Sequence, residues 1–165
     1  MMNLRKTLVA YAILAFVGCA GPEQETVVYD PELVEEEAMV WLDSFLAGIR
    51  GGAATYDEAL ALFEDHAEFM FIFEGTMFRS RAAVDDVMSE LFEQLQSEAI
   101  DAMETSVRSL GPDLAYVAAT GTFSRTFLDG TVTEEKGFGF SGVLVRTVDG
   151  WKARYFHNSE VELVE

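Results

Sequence analysis

Cysteine is almost absent from this chain of 165 residues. A single thiol, Cys19, cannot close an internal disulfide, so the fold stands on its core alone. Histidine is nearly as scarce, with only His66 and His157. Zinc usually takes three or four protein ligands, so no metal site is expected. Cations are few: 11 Lys and Arg stand against 29 Asp and Glu, for a formal net charge of −18. Such a field repels phosphate backbones, which excludes nucleic acid as a partner. There is no nucleophile elbow, P-loop or dinucleotide fingerprint, and no cofactor is expected. "GFGFSG", Gly137–Gly142, has alternating glycines but lies within a strand-like run and opens no helix. Glycine there suits a sheet that bends sharply. The apolar run from Thr7 to Val17 is about 11 residues, well short of the roughly 20 that a spanning helix needs.

What is present at the N-terminus reads as an address. Arg5 and Lys6 precede that apolar run, and small residues surround Cys19, the pattern of a secretory signal over 1–18. "FVGC" resembles a bacterial lipobox, although Phe16 is an uncommon occupant of its position. That resemblance implies that Cys19 is lipidated and becomes the new N-terminus. The alternative is an incidental cysteine in an ordinary cleaved signal. Loss of the two cations in residues 1–18 takes the net charge from −18 to −20. The expected membrane anchor is therefore acyl chain, at roughly 0.8 kcal/mol per buried methylene, and not a basic patch. Ala20 after the cysteine is similar to proteins sorted to the outer membrane of Gram-negative cells, on its periplasmic side. Residues 19–31 read as lipid anchor and flexible tether, and 32–165 as one domain of about 135 residues, enough for a proper core.

Asp30-Pro31 has the form of a helix start. Val34, Ala38, Trp41, Leu42, Phe45 and Ile49 follow at helical spacing, up to Gly51-Gly52. Thr55 to Glu58 has the form of a capping box, which predicts a short helix to about Phe63. A third helix is predicted after Ser80, with Val84, Val87, Met88, Leu91, Phe92 and Leu95 on one face. Between these helices, "HAEFMFIFEGTMFRSR" reads as two short strands turning at Glu74-Gly75. Four longer strand-like segments follow, around 100–110, 114–127, 133–147 and 151–161, separated by turn residues that include two Asp-Gly pairs. The layout is α+β, a curved and mainly antiparallel sheet with helices on one face.

This order of elements resembles the nuclear-transport-factor-2-like superfamily. "FEGTMFRSRAAVDDVM" looks like its strand–turn–strand step into the third helix, and "DGWKARYFHNS" like its last strand. The resemblance covers roughly Pro31 to Val161 and is nearest to the SnoaL-like, or polyketide-cyclase-like, branch. It implies a cone in which the strongly curved sheet wraps around three N-terminal helices and leaves a pocket at its open end. It also implies a possible homodimer through the outer sheet face, with Phe156 available there. The superfamily holds steroid isomerases, cyclases and dehydratases as well as members that only bind or dimerise, so the fold does not decide activity.

Regular alternation along the last strand places Trp151, Ala153, Tyr155, His157 and Ser159 on one face, here read as inward. His157 and Tyr155 are then the candidate catalytic pair, since histidine titrates near neutrality. A histidine hydrogen-bonded at the rim is the plainer alternative. The ligand-binding candidates are Trp41, Phe69, Phe71, Phe73, Tyr116, Phe138 and Phe140, though such stripes are also ordinary core. Isomerase-type chemistry needs a carboxylate and acidic donors. Asp101 or Glu104 could supply the first, Tyr116 or Tyr155 the second, and no spacing singles one out. Arg125 reads either as an inward cation or as a surface charge. His66 and Glu68 share one strand face, and two residues do not make a metal site. The reading that follows is a membrane-tethered domain holding a small apolar molecule without catalysing a reaction. Its alternative is an acid–base enzyme of isomerase, cyclase or dehydratase type using His157 and Tyr155.

Overall fold

The computed structural model describes residues 29–161. The expected signal at 1–18, Cys19 and most of the tether lie outside the described residues. Helix α1 spans Pro31–Arg50. The Asp30 carboxylate accepts from the amides of Glu32 and Leu33, at 3.0 and 3.4 Å, and Pro31 occupies the first turn. Its predicted stripe is the packed one: Val34, Ala38, Trp41, Leu42 and Phe45 are buried, and Ile49 is partly so. A single 3-10 turn follows at Gly52–Ala54, where Gly52 has φ 58°.

The second helix departs from expectation. Helix α2 covers only Tyr56–Leu60, and no side chain caps it. Thr55 is not in the extended conformation of a cap, and its hydroxyl donates instead to the Gly48 carbonyl oxygen of α1. The capping-box pattern is thus used to fasten one helix to another. Close approach there needs a glycine, because a Cβ on Gly48 would lie 2.9 Å from the Ala59 Cβ.

Strands β1 (Met70–Phe73) and β2 (Thr76–Phe78) form the predicted hairpin. Glu74 and Gly75 both have positive φ, 48° and 77°, as a tight two-residue hairpin turn requires. Helix α3, Arg81–Glu93, is capped by the Ser80 hydroxyl, which accepts from the Ala83 amide at 3.2 Å. Val84 and Phe92 are buried, whereas Val87 is 51% exposed. Leu95, expected on that helix, is the first residue of β3 and is fully buried.

The long strands are β3 (Leu95–Gly111), β4 (Leu114–Phe127), β5 (Lys136–Thr147) and β6 (Gly150–Val161). One six-stranded sheet results, in the order β2-β1-β6-β5-β4-β3. Every pairing is antiparallel except β1 with β6. The sheet is curved, mixed and unclosed, with the helices on its inner face. The α+β layout read from the sequence is the observed one.

One irregularity matters for everything that follows. Val143 pairs with Tyr155 while its neighbour Leu144 pairs with Ala153, so Arg154 is an extra residue in β6. Such a bulge puts two residues against one and inverts the strand's phase beyond it. Trp151 and Ala153 face inward, and then so do Phe156, Asn158 and Glu160. The regular alternation expected from the sequence fails at this point. Phe156, expected on the outer face for a partner, is 1% exposed in the centre of the core. The ring centroids of Trp41, Phe45, Phe63, Phe71 and Phe140 lie 5.1–6.3 Å from its own. Gly142 makes room for it, since a Cβ there would meet the Phe156 ring at 2.8 Å.

Candidate functional site

A cavity of about 80 Å³ opens between the inner sheet face and the three helices. Phe45, Phe63, Phe71, Phe73 and Phe156 supply its aromatic wall, with Val84, Met88 and Phe92 from α3. A second lobe of about 40 Å³, lined by Phe123, Phe138 and Phe140, shares Phe45, Ile49, Glu98, Arg125 and Asn158 with the first. The enclosed part suits a molecule of a few heavy atoms, and a more open space of about 360 Å³, lined also by Leu91 and Lys136, adjoins it at Phe73, Arg125 and Glu160.

The polar end of the cavity is built by register. Glu98 on β3 lies directly opposite Arg125 on β4, and both side chains turn inward. Arg125 Nε donates to Glu98 Oε2 at 3.4 Å, and Nη2 donates to Glu160 Oε1 at 2.5 Å. Nη1 also donates to Glu160 Oε2 at 3.4 Å, and the guanidinium sits 4.5 Å from the Phe123 ring centroid. The three side chains are only 16%, 8% and 14% exposed for Arg125, Glu98 and Glu160. One cation thus serves the buried Glu98 and the partly buried Glu160, and it sits closer to Glu160.

Burial holds the Glu98 carboxyl above its ordinary range, Arg125 opposes this only in part, and Glu160 adds to it. Burial alone would lower Arg125, but its bonds to Glu160 and Glu98 leave it raised. Asn158, between Phe156 and Glu160 on β6, lines both lobes. Its Oδ1 is buried and has no hydrogen-bond partner among the described residues. Tyr56 also lines the cavity, but its hydroxyl donates to Asp85 at 3.0 Å, and burial and that bond raise its pKa.

The sequence-predicted residues divide sharply. Phe71 and Phe73 line the main cavity, and Phe138 and Phe140 line the second lobe. Trp41 and Phe69 do not; both are core, and the Trp41 indole N–H donates to the Leu62 carbonyl at 3.2 Å. Tyr116 lies on the outer face of β4, between inward Ala115 and Val117. The bulge at Arg154 likewise turns Tyr155 and His157 outward, opposite Val143 and Ser141, and neither lines the cavity. Asp101 and Glu104 are exposed. His66 and Glu68 stay together on the surface, where His66 Nδ1 accepts from the Glu68 amide and Arg154 Nη1 approaches Glu68 at 3.7 Å. Among the described residues no group of three or more His, Cys, Asp or Glu could hold a metal ion.

The sequence pattern alone does not single out Glu98, Asn158 or Glu160, and it fits Arg125 on either face. Arg125 was within reach, because Val117, Ala119, Phe123 and Arg125 share one parity along an unbroken strand. A signal for β6 also existed. Trp151 and Phe156 are five residues apart, so a regular strand cannot bury both on one face.

Helices on the concave face of an unclosed sheet, enclosing a small apolar cavity with a charged end, define a cone-type α+β fold. The SnoaL-like domain model matches residues 31–162, and the chain belongs to that family. No curated protein matches it. Among solved structures it is similar to a proposed dehydratase of the NTF2-like family from Streptomyces avermitilis, at 17% identity. That likeness covers 81% of this chain and 100% of the other, with a TM-score of 0.69. An NTF2-like superfamily protein from Salmonella enterica serovar Typhimurium is 16% identical over 81% and 95%, TM-score 0.66. The association domain of C. elegans CaMKII is 14% identical over 78% and 97%, TM-score 0.59. At such identities the likeness is one of fold.

Proposed function

We propose that this domain binds a small molecule in the cavity, with an apolar body among the phenylalanines and a polar end against Asn158 and Glu98. The observation that carries this reading is the buried, unpartnered Asn158 Oδ1 inside an otherwise aromatic cavity. A buried acceptor left unpaired costs about 1–3 kcal/mol, which a donor on a ligand offsets. The test is an NMR shift titration with small alcohols. Shifts clustered at Phe71, Phe73, Phe156 and Asn158, and abolished by the cavity-filling Phe73→Trp, support the reading. Shifts that are absent or scattered over the surface overturn it.

A second reading, an acid–base enzyme, is favoured by the buried Glu98 carboxyl. It rests on Glu98, since His157 and Tyr155 lie on the outer face. Glu98→Gln separates the two readings: an acid–base enzyme loses turnover of its substrate, whereas a binding module has no turnover to lose and changes only in affinity.

The tether belongs to the same proposal. Cys19 carries acyl chains and holds the domain at the cell envelope, on the periplasmic side of the outer membrane in a Gram-negative cell. Metabolic labelling with a palmitate analogue should mark the natural chain and not Cys19→Ser. A homodimer would use the outer sheet face with Tyr116, Tyr155 and His157, without Phe156. Repulsion between acidic copies is screened by salt, so association should tighten as salt rises in sedimentation experiments.

A further inference from the structure

We infer that the cavity's ligand is a small organic ammonium ion, a primary amine in its protonated form on a short apolar body. This rests on the binding reading above and narrows it to one chemical class. The polar end holds two carboxylates, one guanidinium and one carboxamide. Arg125 already serves both carboxyls: Nε bonds Glu98, Nη1 and Nη2 bond Glu160, and the guanidinium sits over Phe123. A ligand anion would find the guanidinium already paired and would meet two carboxyl groups. A neutral alcohol offers one donor, enough for Asn158 Oδ1 and no more. A primary ammonium offers three donors and the missing positive charge.

Two independent features favour the same class. The cavity wall carries Phe45, Phe63, Phe71, Phe73 and Phe156, and aromatic rings attract a desolvated cation. The chain as a whole, at −18, concentrates small cations near its surface and depletes anions. A cation beside Glu98 would also favour the ionised form of that carboxyl, whose pKa burial raises, so binding should tighten as pH rises while the amine stays protonated.

The experiment titrates the protein with three isosteric probes: butylammonium, 1-butanol and butyrate. The readout is the set of NMR shifts at the cavity residues. Butylammonium should bind at least about tenfold more tightly than butanol, as a hydrogen bond to a charged group is worth about 1.5–3 kcal/mol and 1.4 kcal/mol is tenfold. Butyrate should not bind. Glu98→Gln should erase most of the ammonium preference, and an amide spectrum unchanged away from the cavity shows that the variant is folded. The butylammonium affinity should rise with pH while that of butanol stays flat. Butanol binding equal to or tighter than butylammonium overturns the ammonium inference and leaves the binding reading intact. Failure of all three probes to shift the cavity residues overturns both.

Discussion

Removing the one cation of the buried cluster should be among the most damaging single changes in this protein. In Arg125→Met the apolar stem and much of the volume remain, but Glu98 and Glu160 face each other with no guanidinium between them. Breaking a buried ion pair from one side costs about 3–5 kcal/mol, because a charge is left uncompensated in a low dielectric. The three side chains keep between 8% and 16% of their exposure, which points to the lower end, about 3 kcal/mol. For a domain of this size that is roughly a 10 °C fall in Tm. The loss should depend on pH in a defined direction. Without Arg125 the buried Glu98 carboxyl loses the contact that opposes its upward shift, so the variant loses stability as pH rises and regains it as Glu98 protonates. Urea unfolding at pH 7 and near pH 4 measures this, and the gap from the natural chain should be wide at pH 7 and narrow at pH 4. The triple variant Glu98→Gln/Arg125→Met/Glu160→Gln, with no charge left, should recover most of the stability. A loss below about 1 kcal/mol, or one equal at both pH values, would refute the account of a buried, shared cation.

Three further outcomes follow from the same geometry. Phe156→Ala should cost about 3–5 kcal/mol in urea unfolding, since its ring contacts five other aromatic side chains, and Phe156→Leu clearly less. Gly52→Ala should cost about 2 kcal/mol in thermal unfolding, because φ is 58° and a Cβ would lie 2.5 Å from the Leu95 carbonyl oxygen. Arg154 donates to Glu64 through Nε and Nη2, at 2.6 and 2.9 Å, which chiefly holds the Glu64 carboxyl below its ordinary range. That pair's contribution is present above the ordinary glutamate pKa and lost as pH falls through the lowered one. Glu64→Gln should therefore lose about 1 kcal/mol at pH 7 and progressively less as pH falls through the lowered Glu64 pKa, measured by denaturant midpoints.

The sequence by itself determined the elements and their order. Caps at Asp30 and Ser80, the apolar stripe of α1, the Glu74-Gly75 turn and the Asp-Gly turns are local signals, each set by a few neighbouring residues. From these came the α+β layout, the family resemblance and the inward placing of Phe71, Phe73, Phe138 and Phe140. What only the tertiary structure decided was the polar end of the cavity. Strand alternation is a rule of period two, and one extra residue inverts it. Arg154 is that residue, and its place as a bulge depends on the pairing of β6 with β5 and on the ion pair to Glu64. Beyond it, Asn158 and Glu160 replaced Tyr155 and His157 on the inner face. Glu98 and Arg125 lie 27 positions apart in the chain and meet because β3 and β4 pair in one register. A contact of that kind is a property of the assembled sheet, since neither residue carries a local mark of the other.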